Sequence, residues 1–424
     1  MNLQLPKGTR DFKPEEMIVR NKIISALKET FEIYGFSPLE TPSLERYEVL
    51  ASKYAGGSEI LKETFKLKDQ GKRELGLRYD LTVPLARYIG TNPNIKTPFK
   101  RYQIGEVFRD GPVESARYRQ FTQCDADIVG CKEMTADAEI IALTNMAFNK
   151  LGLDSVIKIN NRKLLNDLLS YCKVPKNKIE DVVLTIDKLE KFGLEAVKKE
   201  LKQKKLNKNA IEKLVKIIEM KGLNEDKVAY LKDALKKSEG LKEVEEILNY
   251  LNIINVGVVF DLSLARGLTY YTGTVIEVVL RDSKVKSSVA GGGRYDKMIG
   301  SLLEKGSYPA IGISFGLDRI YDAYIEKNKE EKKTVTQIYI IPIKTLNESL
   351  KIAEELRKNN IKVDIDLLDR GVSKNLQYAN SLGIPYVLFI GEEELKQNKV
   401  KLRDMKTGEE EFFTIKQLIA FEKL

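Results

Sequence analysis

The stretch FKRYQIGEVFRDGPVESARYRQFTQCDADIVG, residues 99–130, decides the fold class. Two apolar segments flank a polar, charged loop, which predicts a pair of antiparallel strands joined by a long connection. Arg109, Arg117 and Arg119 border that loop. A guanidinium is a planar fork of donors that suits phosphate oxygens, and three in one hairpin suit a triphosphate. The same spacing also fits an exposed hairpin with ordinary surface charges. Beyond the loop Gln123, Asp125 and Asp127 alternate, which puts all three on one face of the second strand. A row of acceptors on one face can hold an ammonium group.

Toward the amino terminus, Met17, Ile18, Ile23, Ile24, Leu27, Phe31 and Tyr34 recur at helical spacing and stop at Gly35, predicting a helix over 14–34. The following FSPLETPSLE is extended, because Pro38 and Pro42 disfavour helix at the residues before them. Toward the carboxyl terminus a helix is expected over 135–151, and β-branched GVVFDLS and TVIEVVL predict strands within 255–280, with a further strand at 284–290. Residues 172–255 differ, with nineteen lysines, no arginine and fifteen acidic residues. Leu, Ile and Val recur there at helical spacing, so the stretch reads as a small helical domain inserted between sheet segments. Its lysine-rich middle, 191–216, fits a solvated helix face or RNA contact. EKNKEEKKT, 326–334, reads as a charged linker. Beyond it strands QIYIIPI, KVDIDLL and YVLFIG alternate with helices at 346–359 and 373–382. A hairpin around Thr407 and Gly408 and a final helix follow, which makes a compact α/β domain with a mainly parallel sheet.

A chain of 424 residues is long enough for two or three domains. With 42% hydrophobic and 31% charged residues the composition is that of a soluble globular protein. No apolar run approaches the ~20 residues that a bilayer-spanning helix requires. The stretch MNLQLPKGTRDF lacks the apolar core of a signal peptide, so a cytoplasmic protein without membrane partners is expected. Cys124, Cys131 and Cys172 make neither a metal-ligand spacing nor a disulfide framework. The net charge of +9 fits a polyanionic partner. The chain contains no histidine, which excludes every mechanism that needs a protein imidazole, the usual serine and cysteine triads included.

Three further segments carry chemistry. In ARGLTYYTGTVIEV, 265–278, Thr272 and Gly273 invite a tight turn. In VAGGGRYDKMIG, 289–300, three consecutive glycines either let the backbone approach a ligand or form a flexible turn. AIGISFGLDRIYDAY, 310–324, is a small-residue strand running into a helix; Gly312 and Gly316 allow close packing around a flat ligand, with Arg319 directed at it. No GxxxxGK[ST] loop occurs, so a P-loop enzyme is excluded.

These segments resemble the three motifs of class II aminoacyl-tRNA synthetases, at 31–45, 99–130 and 310–324. RGLTYYTG and AGGGRYD resemble the two histidine-specific segments of the histidyl-tRNA synthetase family, and LPKGTRDF and INNRKLL (159–165) are similar to it too. The tail with KLRDMKTGEEE resembles the family's anticodon-binding domain. One departure is Thr269, where the family usually has an acidic residue. The resemblance implies an α+β catalytic domain over 1–325, built on an antiparallel sheet with helices and carrying the helical insertion at about 172–255. A C-terminal α/β anticodon-binding domain over 335–424 would follow the linker. It implies histidine, ATP with Mg²⁺ and histidine tRNA as substrates, no resident metal, and a homodimer. Arg109 is expected at the α-phosphate and the histidine carboxylate, with Arg266 opposite it, stabilising the transition state; Arg117 and Arg319 at the outer phosphates or the adenine face; and Phe121 stacked on adenine. Asp80, Leu81, Thr82 and Gln123 are expected around the α-ammonium group, Asp127 and Tyr271 on the two ring nitrogens, and Tyr270 and Tyr295 closing the pocket. The competing reading is a non-catalytic, histidine-sensing regulatory paralogue. Such regulators usually lack the tail and lose catalytic arginines, both of which this chain keeps.

Overall fold

The computed structural model describes residues 1, 3–52, 61–113, 118–266, 270–303, 306–328 and 333–421. They divide into two compact units, one drawn from 1–10 and 22–328, the other from 11–21 and 329–424.

The larger unit is built on an eight-stranded sheet. In spatial order its strands are Ser37–Pro38, Phe99–Phe108, Gln120–Val129, Ala310–Gly316, Ala290–Arg294, Thr274–Leu280, Ser155–Asn161 and Val259–Phe260. The central pairings are antiparallel, and the two short edge strands pair parallel with their neighbours. The expected hairpin forms, with Phe99 opposite Val129 and Phe108 opposite Gln120. Helices Pro14–Ile33 and Met134–Lys150 stand where helical spacing placed them. Both reach the same face of the sheet, since the rings of Phe31 and Phe148 each lie 5.7 Å from Phe315. Because side chains alternate along a strand, the residues either side of Phe315, Ser314 and Gly316, turn to the opposite face.

The insertion is helical, with helices Ile179–Ile186, Leu194–Gln203, Lys208–Ile218, Asn224–Ala234 and Glu239–Ile253. Its core of Val182, Ile186, Leu201, Leu214 and Leu231 is continuous with Leu262 and Ala265. Several lysines are paired within the insertion, as Lys188 and Lys204 are with Glu200.

Three local expectations change. Residues 284–289 are irregular and lead into the strand Ala290–Arg294, so the expected strand at 284–290 does not form and the triple glycine is no flexible turn. Glycine weakens a strand, but here close approach of neighbouring backbone outweighs propensity: a Cβ on Gly292 would stand 2.0 Å from the Gly312 carbonyl oxygen. Nor do Thr272 and Gly273 join a hairpin, because Val259–Phe260 and Thr274–Leu280 both pair with Ser155–Asn161 rather than with each other.

The smaller unit holds a five-stranded sheet in the order Val363–Ile365, Ile338–Ile343, Tyr386–Gly391, Val400–Asp404, Glu410–Phe413. The first three are parallel and the hairpin adds two antiparallel strands, so the sheet is mixed rather than mainly parallel. Helices Leu346–Lys358, Val372–Ser381 and Ile415–Ile419 complete it. Among the described residues no helix is long and apolar enough to cross a membrane.

Candidate active site

Strand Gln120–Val129 presents Phe121, Gln123, Asp125 and Asp127 in line on the face away from the two long helices. Six residues at about 3.3 Å each make a row of about 20 Å. Gln123 donates its side-chain amide to Ser314 Oγ at 2.7 Å. Asp127 faces Gly312 across the ladder, and a Cβ there would stand 1.9 Å from Asp127 Oδ1. Gly312 therefore makes room for the carboxylate and not for a flat ligand. Gly316 makes only an ordinary contact, 3.5 Å from Val289 O.

At the Asp127 end the polar groups converge. The Tyr295 hydroxyl donates to Asp127 Oδ1 at 2.5 Å. Arg101, directly opposite Asp127 in the hairpin, places Nη2 2.9 Å from Oδ2 and donates from the same nitrogen to Leu81 O at 3.2 Å. Leu81 is fully buried, and its carbonyl oxygen is what meets Arg101. Asp80 lies just before the helix Thr82–Thr91 and accepts from Val83 N at 3.0 Å. Burial pushes the Asp80 carboxyl up to about 6 and Asp125 up to about 7. It raises Asp127 as well, while Arg101 and the Tyr295 bond pull that group back. Three buried carboxylates around one buried guanidinium would gain from a second cation. The Tyr270 ring lies 4.8 Å from that of Tyr271 and 6.4 Å, edge-on, from that of Tyr295.

Arg109 follows the strand Phe99–Phe108, donates from Nε to Tyr79 O at 3.1 Å and lies 5.0 Å from the Phe121 ring centroid. Arg266 donates to Ile276 O at 3.2 Å and stands 3.9 Å from Glu277. Burial opposes its charge, but Tyr271, Glu277, Tyr270 and Asp187 outweigh that and hold the guanidinium above its ordinary value. Gly291 makes its space, since a Cβ would stand 1.7 Å from Arg266 Nη1; a Cβ on Gly293 would meet the Tyr271 ring at 2.8 Å. The glycine run thus admits the chain's own Arg266 and Tyr271 where a ligand was expected. Arg319 sits at the other end of the row, on helix Leu317–Lys327, donating to Ser288 O at 2.7 Å. Arg119 is engaged with Asp110 at 3.2 Å and Gly111 O at 3.1 Å, so of the hairpin's arginines it is spent on the loop itself. Arg117 and Thr269 lie outside the described residues.

Sequence reasoning missed Arg101. Its signal is an arginine in the interior of a predicted strand, and only the register of the hairpin shows that it faces Asp127. AGGGRYD also divides in a way the sequence does not show. Tyr295 goes to the pocket, while fully buried Arg294 pairs with Asp137 and, at 3.2 Å, with Asp296. The segment LPKGTRDF braces the loop end: Arg10 pairs with Asp318 at 2.6 Å and lies 4.4 Å from the Tyr118 ring centroid, while Arg119 N donates to Gly8 O at 2.9 Å.

Comparison with known proteins places this geometry. Residues 8–320 match the model of the family described as histidyl-tRNA synthetase, and residues 337–423 match that of the anticodon binding domain. Histidine–tRNA ligase 1 of Bacillus cereus is 45% identical over 418 residues, 97% of each chain. The crystal structure of histidyl-tRNA synthetase from Nostoc sp. PCC 7120 superposes with a TM-score of 0.89 at 30% identity, over 99% of this chain and 98% of that one. A structure titled as an ATP phosphoribosyltransferase regulatory subunit/histidyl-tRNA synthetase, from Bacillus halodurans C, has a TM-score of 0.76 at 22% identity over 90% of this chain and 97% of that one, a likeness of fold alone.

Proposed function

The chain belongs to the histidyl-tRNA synthetase family, and from that membership we propose that it activates histidine with ATP to histidyl-adenylate and pyrophosphate, then transfers histidine to the 3′ end of its tRNA. The observation that carries the reading is the row from Phe121 to Asp127. It offers an aromatic face and cations at one end and paired acceptors at the other, the order in which adenine, phosphate, ammonium and imidazole would lie. A regulatory paralogue has no use for Arg109 and Arg266 in place or for the anticodon-binding tail.

Attack of the histidine carboxylate on the α-phosphorus brings two anions together, so fixed cations must offset the repulsion. Arg109 and Arg266 take that role on opposite sides, and a P–O bond to pyrophosphate breaks as the new one forms. Arg319, and Arg117 with it, hold the outer phosphates or the adenine face, and Phe121 stacks on adenine. Asp80, Thr82 and Gln123 hold the α-ammonium, with the Leu81 carbonyl tying that segment to Arg101. Neutral imidazole has one donor and one acceptor, which Asp127 and the Tyr271 hydroxyl complement while Tyr270 and Tyr295 close the pocket. A pocket that pairs both nitrogens rejects isosteric side chains, whose mismatched polar groups would be buried unpaired. In the second step the terminal hydroxyl of the tRNA attacks the acyl carbon, AMP leaves, and a phosphate oxygen of the adenylate takes the proton. Among the described residues no group of three acidic or cysteine side chains is placed to hold a metal. Mg²⁺ would travel with ATP, coordinated largely by phosphate and water.

The domain organisation that accompanies this reading is a catalytic part over 1–325, the linker 326–334 and an anticodon-binding part over 335–424, in a cytoplasmic homodimer. Exposed Ile33 and Leu44, 65% and 49% accessible within the first-motif segment, support a twofold contact there. Charging of histidine tRNA with labelled histidine tests the function, and a product that forms only with ATP, histidine and tRNA together is expected. Absence of charging by folded protein that still binds histidine would favour the regulator. Sedimentation of a stable, fully active monomer would contradict the dimer.

A further inference from the structure

Arg101 is fully buried, and only one of its nitrogens, Nη2, has partners; Nε and Nη1 have no hydrogen-bond partner among the described residues. That one nitrogen joins both halves of the histidine pocket proposed above, Leu81 O on the ammonium side at 3.2 Å and Asp127 Oδ2 on the ring side at 2.9 Å. The Asp127 contact is an ion pair whose alignment falls short of a hydrogen bond. An unpaired carboxylate in so dry a place would favour the positively charged imidazolium over the neutral ring. A carboxylate already facing a fixed guanidinium has no such need. Its two oxygens still offer about four acceptor positions, of which Arg101 and Tyr295 take two, so a ring N–H has room to donate.

We propose that Arg101 is the positioning residue that sets the proton count of the bound state: by pairing with Asp127 it makes the pocket select histidine with a neutral ring, and without it the complex would hold one more proton. The proposal rests on the ring lying at Asp127. The charged and titratable groups that face Asp127 are Arg101 from strand Phe99–Phe108, Tyr295 at the end of strand Ala290–Arg294, Tyr271, and Asp125 on its own strand. Because the ring and Asp127 would share a proton, the count belongs to the pair and not to either group.

The test is calorimetry at about pH 5.5, below the ~6.5 of an ordinary imidazole, in two buffers of different ionisation enthalpy, which reports protons released on binding. Histidine is compared with its analogue carrying a triazole in place of the imidazole, whose ring stays neutral. Protons displaced from Asp80 and Asp125 by the ammonium group are common to both compounds and cancel in the difference. Wild-type protein is expected to release close to one more proton with histidine than with the analogue, and Arg101→Met to lose that difference. The wild-type arm needs no variant, so misfolding of Arg101→Met, monitored by circular dichroism, leaves the proposal testable. Equal release for the two compounds in wild type overturns it. So does an undiminished difference in folded Arg101→Met, which would make Arg101 a structural residue alone. If neither compound binds wild type at all, the histidine pocket itself is misassigned and the proposal falls with it.

Discussion

Arg266 occupies the space that a side chain at Gly291 would need: a Cβ on Gly291 would stand 1.7 Å from the Nη1 atom of Arg266. The atom it would meet is the far end of a flexible side chain, so the sheet can keep its form while the guanidinium moves. Gly291→Ala is therefore expected to behave like Arg266→Ala, abolishing pyrophosphate exchange while circular dichroism stays that of wild type. Loss of one preorganised electrostatic contact costs ~3–4 kcal/mol of transition-state stabilisation, roughly 10²–10³ in rate. Arg266→Ala retaining more than about a tenth of wild-type exchange would remove Arg266 from the reaction, whereas an active Gly291→Ala beside an inactive Arg266→Ala would show that the displaced guanidinium still reaches its place.

Gly312→Ala acts on the other end of the row. Its Cβ would press on Asp127 Oδ1 at 1.9 Å, against a carboxylate held from two further sides by Tyr295 and Arg101. The KM for histidine is expected to rise at least about tenfold, the loss of one charge-assisted contact of ~1.5 kcal/mol, with the KM for ATP little changed. Equal rises for both substrates would show a general collapse of the sheet and not a histidine contact.

The site was legible where chemistry follows from residue type and strand alternation. Gln123, Asp125 and Asp127 share one face, as a period of two requires, and the hairpin that carries them needed only its apolar flanks. What the sequence concealed depends on register and on close approach. Nothing local marks Arg101 as the partner of Asp127, because the pairing is set by where the hairpin turns. The glycine run suggested backbone approaching a ligand or a flexible turn because glycine has low strand propensity, and only the folded surroundings show what the missing side chains make room for. Arg294 and Tyr295, adjacent in sequence, point to opposite tasks for the same alternating reason.

Arg294 has a structural task, and its loss has a different signature. Arg294→Met leaves Asp137, itself fully buried, without its ion-pair partner. Breaking one partner of a buried pair costs ~3–5 kcal/mol, so a lower Tm of the larger unit is expected, beyond that of any pocket variant above. A melting transition within about a degree of wild type, far less than such a loss produces, would show that the pair contributes nothing.

Asp125 gives stability a pH dependence of definite sign. Burial raises its folded-state pKa from the ordinary ~3.8 of an unfolded chain to about 7. The folded state then binds more protons than the unfolded one, so stability is fully present below ~4 and falls as pH rises through about 7. Asp80, raised to about 6, acts in the same sense. The Tm of wild type without substrate should fall more steeply between those limits than that of Asp125→Asn. Parallel Tm profiles for the two proteins would show that Asp125 titrates normally.

Deleting residues 334–424 separates the two steps of the reaction. In the proposed reading adenylate formation draws only on residues of the larger unit, whereas charging would also need tRNA held by its anticodon. The truncated protein is expected to keep most of its exchange activity and lose most of its charging, measured side by side. Equal loss of both, in a truncation shown to be folded, would mean that the tail supports the catalytic sheet instead.

The most direct measurement of the central claim is exchange of labelled pyrophosphate into ATP without tRNA, each of the twenty amino acids supplied in turn. Histidine alone is expected to support exchange, since in the proposed pocket its ring nitrogens would pair with Asp127 and Tyr271 and its ammonium with Asp80 and Gln123. Exchange driven by another amino acid, or none with histidine from folded protein, would contradict the account.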